Sequence, residues 1–133
     1  MFKNSSEIFA YIKKEDIKLV DVRFTDLPGI QHHFNVPVES FDEAVFTEGL
    51  MFDGSSIRGF QAINESDMKL LPVPESAFID PFRLEKTLVI IFSVHNPIDN
   101  TPYSRDPRGV VKKAVDYLKS TGIADQAFFA PEA

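Results

Sequence analysis

The chain contains no cysteine among its 133 residues. It therefore has neither a disulfide framework nor a thiolate metal ligand or nucleophile, which fits a reducing compartment such as the cytosol. Positive charge is also scarce, since 20 acidic residues outnumber 14 basic ones and the net charge is -6. This sign is opposite to that required for binding nucleic acid or anionic membranes, so we expect neither as a partner.

Long apolar runs are absent as well. No stretch approaches the roughly 18 apolar residues of a membrane span, and the first residues lack the apolar core of a signal peptide. The phosphate-binding motifs GxxxxGK and GxGxxG do not occur, nor does the Ser/His/Asp order of a hydrolase. What is present is a hydrophobic fraction of 44% with 13 phenylalanines, which predicts a globular domain with a sizeable core.

Hydrophobic periodicity and turn residues predict an α+β fold. An amphipathic helix over residues 4–14 precedes a β-hairpin of two alternating strands. A second helix is expected to begin with a capping box at Ser40 and Glu43 and to end at Gly49. The apolar run TLVIIFSV predicts a central strand buried on both faces. Strands are expected at residues 18–24, 30–36, 69–73 and 87–94, and a further strand is expected to begin at residue 127.

The stretch at residues 95–108 is rich in Pro, Asn, Asp and Ser and predicts a domain boundary near residue 102. Beyond it, Asp106 and Pro107 are expected to begin a helix that ends before Gly122. Its apolar stripe needs a covering surface, so we expect the chain to be a fragment of a longer protein. The stripe consists of Val110, Val111, Ala114, Val115 and Leu118.

Residues 51–68, MFDGSSIRGFQAINESDM, place an acidic-glycine turn and an acidic NESD run on one predicted loop. Asp53 offers a carboxylate, Ser55 and Ser56 offer hydroxyls, and Gly54 tolerates a positive φ. Several polar atoms can thus converge on one small polar or cationic ligand, as binding loops do. Taken alone, the tetrapeptide DGSS is more often an ordinary turn.

Structural roles are favoured for the histidines and for the arginines near residue 105. Neighbouring residues on a strand face opposite ways, so His32 and His33 do not easily share a metal ion, and His95 stands alone. Arg105 and Arg108 lie near a predicted helix start and can bind phosphate there. A capped, proline-initiated helix explains the acid and the proline between them without any ligand.

Three charged residues alternate along the hairpin. Asp21, Arg23 and Asp26 are expected to form ion pairs on its surface, where such pairs add little stability. No function is predicted for them.

Six ordered blocks together resemble the amino-terminal part of bacterial type I glutamine synthetases. The sequence of the segment SSIRGFQAINESDM is most similar to that of the actinobacterial members. The resemblance implies a β-grasp domain over residues 1–102 and the incomplete start of a catalytic domain over residues 103–133. The blocks are VDVRFTDLPG, MFDGSSIRGF, NESDM, YSRDPR, TGIAD and APEA.

The resemblance also implies an activity. The parent protein is expected to be an ATP-dependent ligase that makes glutamine from glutamate and ammonia through γ-glutamyl phosphate. Two divalent cations, Mg²⁺ or Mn²⁺, hold the reacting oxygens in this family, and ATP is the co-substrate. A cytoplasmic homo-oligomer is implied, a dodecamer, in which this loop enters the neighbouring subunit's active site. We expect the 133-residue chain alone to be inactive.

Particular residues inherit roles from the resemblance. Asp53 matches the carboxylate that binds ammonium and takes its proton, and Ser56 matches a hydroxyl at the same site. Asp67 matches an acidic residue that meets the loop covering the glutamate site. Phe60 stands where several relatives carry tryptophan and keeps an aromatic wall there. Glu132 matches the first of two paired metal-binding glutamates.

Two alternatives stay open from the sequence. A paralogue of the same architecture would ligate a polyamine or another amine to glutamate, although Asp53 with Ser56 favours small ammonium. A non-catalytic β-grasp module would bind partner proteins through its sheet or helix. No residue points to a particular partner of that kind.

Overall fold

The computed structural model describes residues 2–62 and 66–130, which form a mixed β-sheet and short helices. The strands are β1 Leu19–Thr25, β2 Gln31–Pro37, β3 Leu50–Asp53, β4 Asp67–Pro72, β5 Phe78–Ile79 and β6 Thr87–His95, and the helices are α1 Ser5–Glu15, α2 Ala44–Thr47 and α3 Pro107–Ser120. The strand order is β2-β1-β6-β4-β3, and β5 pairs with β6 beside this path. Strands β1 and β6 run parallel, and the other pairs are antiparallel.

Helix α1 confirms the first predicted helix. Asn4 caps it, because its side-chain oxygen accepts a hydrogen bond from the Glu7 N–H at 3.0 Å. Ile8 and Ile12 recur on one face and are buried in the core. The helix ends at Asp16, which takes the left-handed conformation at φ 52.

Strand β6 lies at the centre of the sheet, as its apolar sequence predicts. It pairs with β1 on one side and β4 on the other, and its first four residues are buried. The sheet curls enough for Phe24 of β1 to meet Phe52 of β3, with ring centroids 4.9 Å apart. This contact crosses the sheet and packs the end of β3 against the core.

Helix α2 differs from its prediction. It has only four residues, and Ser40 lies in a preceding 3-10 turn without a capping hydrogen bond. Instead the Asp42 carboxylate accepts a bond from the Ala44 N–H at 3.0 Å. Gly49 follows the helix at φ 79, and a Cβ there would lie 2.7 Å from the Leu70 carbonyl oxygen. Glycine is therefore required for close packing on β4 as well as for the turn.

Residues 51–68 are not one loop. Residues 51–53 belong to β3 and residues 67–68 to β4, and these strands pair directly. In the structure, buried and exposed side chains alternate at the start of β4, where Met68 is buried and its neighbour Asp67 is exposed. This alternation appears only once β3 and β4 are paired. The predicted strand at 69–73 thus begins two residues earlier, and Pro72 lies within it as its last residue.

Two acids expected on the hairpin surface are buried. Asp21 is 0% exposed, because β5 and the segment after it supply Asp80 and Arg83 to cover that face. The Asp21 carboxylate accepts hydrogen bonds from Arg23 Nε at 2.8 Å and pairs with His33 Nδ1 at 2.9 Å. The surface assignment was wrong because the covering residues lie some sixty positions along the chain.

Asp26 is the second buried acid, at 1% exposed. Burial alone would raise the pKa of its carboxyl group, but hydrogen bonds from His32 and from the Ile30 N–H bring that pKa below its usual value. The bonds measure 2.8 Å to His32 Nε2 and 2.7 Å to the Ile30 nitrogen. The two histidines serve two different acids, which fits their opposite directions on the strand.

Helix α3 confirms the predicted second-half helix. Asp106 caps it, accepting from the Arg108 N–H at 2.9 Å, and Pro107 is its first residue. Its apolar stripe is open to solvent, with Val110 61% and Val111 63% exposed. Residues 127–130 form no strand and are exposed, so that prediction was wrong for them. Among the described residues, no helix is long and apolar enough to cross a bilayer.

Candidate functional site

The Asp53 carboxylate stands at the end of β3 and is held by the next turn. Its Oδ1 accepts the Ser55 N–H at 2.8 Å and the Ser55 hydroxyl at 2.6 Å. These bonds, with smaller ones from Ser66 and Ser56, hold the pKa of Asp53 below its usual value. Asp53 is exposed. The arrangement is an ionised carboxylate in a fixed orientation, open to a ligand.

Ser56 lies in the same turn as Ser55. The turn is a 3-10 helix, Gly54–Ser56, and Ser56 is exposed within it. Its side chain contributes to the lowered pKa of Asp53, but less than Ser55 does. Ser55 makes the close hydrogen bonds, however, and acts as the support of Asp53.

Gly54 is needed for close packing rather than for a positive φ. A Cβ at this position would lie 2.5 Å from Met68 Cγ and 3.0 Å from the Ser66 carbonyl oxygen. The Gly54 N–H donates to that oxygen at 2.6 Å. The positive φ in this region belongs to Gly59, at 84. The sequence suggested a glycine that could take a positive φ, whereas the structure has a turn packed closely against β4.

Phe60 closes the 54–60 loop, the residues between Asp53 and Gln61. Its ring is buried at 2% exposed and meets the Tyr103 ring edge-on, with centroids 5.2 Å apart. The Phe60 carbonyl oxygen accepts bonds from the Tyr103 hydroxyl at 2.9 Å and from Arg105 Nη1 at 2.7 Å. The sequence did not indicate these contacts, although both residues lie in the block YSRDPR, where Arg105 was considered only as a phosphate ligand.

Asp67 faces an open cleft of about 610 Å³. The cleft carries a second acid, Asp99, whose pKa is lowered by hydrogen bonds from the Thr101 N–H and hydroxyl. Asp53 and Asp67 are register partners on β3 and β4. The cleft is lined by Gln61, Ser66, Asp67, Asn96, Pro97, Ile98 and Asp99.

The metal prediction rests on Glu132, which lies outside the described residues. Within residues 2–62 and 66–130, no three His, Cys, Asp or Glu side chains come together in a group able to hold a metal ion. The described residues therefore do not by themselves fit the two cations that the resemblance implies. Arg105 is occupied by loop carbonyls and Asp106 caps α3, so the phosphate site considered there is not favoured either.

Comparison with known proteins finds consistent similarities. The family described as "Glutamine synthetase, beta-Grasp domain" matches residues 16–97. A glutamine synthetase of Frankia alni is 59% identical over 133 residues, covering 100% of this chain and 28% of that protein. One of Mycolicibacterium smegmatis is 60% identical over 131 residues, covering 98% of this chain and 27% of that protein. The chain thus spans just over a quarter of the length of these curated relatives.

Solved structures show the same fold. A Plasmodium falciparum glutamine synthetase superposes with a TM-score of 0.85 at 26% sequence identity, covering 94% of this chain and 24% of that one. The predicted α+β class and β-grasp fold are confirmed, as is the resemblance to actinobacterial sequences.

Proposed function

The chain belongs to the glutamine synthetase family, and we propose that it is the amino-terminal part of an ATP-dependent ligase that makes glutamine from glutamate and ammonia. The family match and the shared name of the relatives support this. We place residues 1–102 in the β-grasp domain and residues 103–133 at the start of the catalytic domain. Because the chain spans so little of its relatives' length, the activity is proposed for the longer protein.

We propose that Asp53 binds ammonium. The observation that carries this proposal is the exposed carboxylate, ionised and oriented through Ser55. Charge-assisted hydrogen bonds to such a group are short and strong, and a small cation such as ammonium can make several at once. Ser56 adds a hydroxyl oxygen that accepts from the same cation.

The lowered pKa bears on the second part of the proposed role, proton transfer. A carboxylate that gives up its own proton readily is a good ligand for a cation but a weak base. Asp53 is therefore better suited to holding ammonium than to drawing a proton from it. We propose that binding is the larger part of its contribution and that proton acceptance contributes less.

The position of Asp53 suits donation to a neighbouring subunit. Strand β3 is an edge strand of the sheet, and Met51 on it is 56% exposed, so this edge is open to another surface. We propose that the edge contributes Asp53, Ser56 and Asp67 to a shared active site in a cytoplasmic homo-oligomer, a dodecamer. Phe60 supports the loop from beneath, as its burial indicates.

The metals are assigned to the longer protein. Mg²⁺ or Mn²⁺ would neutralise charge on the phosphoryl group passing from ATP to glutamate. Glu132 remains our candidate ligand in this chain. The roles proposed for the described residues do not require the metals, because the binding and orientation of ammonium depend on Asp53 and Ser55.

Steady-state kinetics of the full-length protein test the function. We expect glutamine formation that requires ATP, glutamate and ammonium, with polyamines acting as poor substitutes. A strong preference for a polyamine, or no ATP-dependent product with any amine, would overturn the proposal. The 133-residue chain assayed alone is the matched control and should form no glutamine.

A further inference from the structure

The residues that follow β6 make contacts to the 54–60 loop that the proposed function does not explain. Arg105 Nη1 donates to the Gly59 and Phe60 carbonyl oxygens, each at 2.7 Å. The Tyr103 hydroxyl donates to the same Phe60 oxygen at 2.9 Å. One backbone oxygen therefore accepts hydrogen bonds from two side chains that lie more than forty residues away in sequence.

The donors are themselves fixed to the central strand. The Val94 carbonyl accepts the Tyr103 N–H at 2.9 Å, and the Val94 N–H donates to Asp106 Oδ2 at 2.8 Å. Strand β1 pairs with β6 only as far as Ile91, which leaves this part of the β6 edge to residues 103–106. Asp106 is 2% exposed, so these bonds are shielded from water.

The 54–60 loop transmits this support to Asp53. The Gln61 N–H, directly after Phe60, donates to the Gly54 carbonyl at 3.4 Å, and Gly54 directly follows Asp53. Within the loop only single turns are formed, such as the Phe60 N–H to Ile57 carbonyl bond at 3.1 Å. A loop held by so few bonds of its own depends on outside contacts for a single conformation.

We infer that Tyr103 and Arg105 are positioning residues, which fix the 54–60 loop and through it set the affinity of Asp53 for ammonium. The inference rests on the proposed ammonium role of Asp53 and adds residues outside the 16–97 segment matched by the family. Neither side chain is proposed to touch the substrate. Both act by holding backbone carbonyls, so their removal should alter ammonium binding more than the later chemistry.

The test uses four variants of the full-length protein. Tyr103→Phe removes one hydroxyl and keeps the ring against Phe60, while Arg105→Ala removes both carbonyl bonds. Arg105→Lys retains a flexible cation with several donors and should recover much of the loss. Tyr117→Phe is the matched control, because Tyr117 is 73% exposed on α3.

Two readouts are measured on each variant. We expect the KM for ammonium to rise about fivefold in Tyr103→Phe, which loses one neutral hydrogen bond, and by more than about tenfold in Arg105→Ala, which loses two charge-assisted ones. The kcat and the KM for glutamate and ATP should stay within about twofold, and Tyr117→Phe should match wild type. Amide exchange should quicken at Ile57 and Phe60 but not at Ile90 in the central strand.

Asp53→Asn, measured beside them, separates this inference from the proposed function. If Asp53→Asn raises the ammonium KM while Tyr103→Phe and Arg105→Ala leave both readouts unchanged, the inference is overturned. An equal loss of kcat/KM for all three substrates would also overturn it, because that indicates general damage. If exchange quickens but Asp53→Asn does not change the ammonium KM, the proposed function fails together with the ammonium part of the inference.

Discussion

Asp53 of β3 and Asp67 of β4 lie directly opposite each other in an antiparallel strand pair. Opposed residues in such a pair place their side chains on one face, where two carboxylates repel. Both residues are exposed, and Ser55 keeps Asp53 ionised by lowering its pKa. Repulsion between the two opposed acids costs the fold some stability, whereas it favours a cation bound between them, so we expect the pair to exchange stability for function.

Replacing one of these acids should stabilise the chain. We expect Asp67→Asn to raise the free energy of unfolding by about 0.2–1 kcal/mol at low ionic strength, because it removes like-charge repulsion. The gain should shrink in about 1 M salt, which screens the two charges. Urea unfolding of the 133-residue chain measures it. Asp116→Asn on α3 is the control, and an equal gain there would refute the explanation.

Asp21 should be the charged residue whose replacement lowers the stability of the fold most. Asp21 is fully buried and accepts bonds from Arg23 and Arg83 besides its contact with His33. We expect Asp21→Ala to lower the free energy of unfolding by about 1.5–3 kcal/mol, because it removes charge-assisted hydrogen bonds at a buried position, while Asp80 still accepts from both arginines.

A surface pair provides the comparison. Glu15 bonds Lys86 at 3.0 Å, with side chains 31% and 45% exposed. We expect Glu15→Ala to cost no more than about 1 kcal/mol in the same urea titration. Equal costs for Asp21→Ala and Glu15→Ala would contradict the burial described for Asp21.

Acid should unfold the chain partly through Asp26. Its folded-state pKa lies below the unfolded value, so its stabilising contribution is present above about pH 4 and is lost as the pH falls through the folded pKa. We expect Asp26→Asn to be less stable than wild type at neutral pH and to lose less stability on acidification. Thermal unfolding followed from pH 7 to pH 2 measures both, and parallel curves for the two proteins would argue against it.

Two glycines should respond oppositely to alanine. Gly54→Ala places a Cβ 2.5 Å from Met68 Cγ and 3.0 Å from a backbone oxygen, so it should destabilise the chain by about 1–3 kcal/mol. Gly109 lies in α3, where an added Cβ would be 3.8 Å from the Tyr103 carbonyl oxygen, so Gly109→Ala should stabilise the chain by about 0.5–1 kcal/mol. Comparing the urea midpoints of the two variants tests whether the turn after Asp53 is packed as closely as described. A stabilising Gly54→Ala would contradict it.

The elements predicted correctly from sequence carry their signal locally. Helices α1 and α3 have caps and one apolar face, and β6 is a continuous apolar run. Strand β3 and the start of β4 lack such a signal, because their polar ends become strand only through pairing with each other. The burial of Asp21 was missed for a related reason, since Arg83 and Asp80 reach it from a distant segment.

The candidate site likewise has one part that the sequence predicts and one part that it does not. Asp53 and Ser56 were identified because they lie in one short block, and the structure brings both to one turn. The part played by Tyr103 and Arg105 depends on β6 returning the chain to the 54–60 loop, a tertiary contact that spacing alone does not reveal. Both residues lie in a family-like block, but the sequence suggested only a helix start and a phosphate site there.

The most direct test of the account compares two nucleophiles in the full-length Asp53→Asn variant. Ammonium is a cation that must be bound and deprotonated, whereas hydroxylamine is uncharged at neutral pH and needs neither a cation site nor deprotonation before it attacks. If Asp53 is the ammonium ligand, kcat/KM for ammonium should fall about 100-fold while the value for hydroxylamine falls far less. An equal fall for both nucleophiles, or no fall for ammonium, would contradict the account.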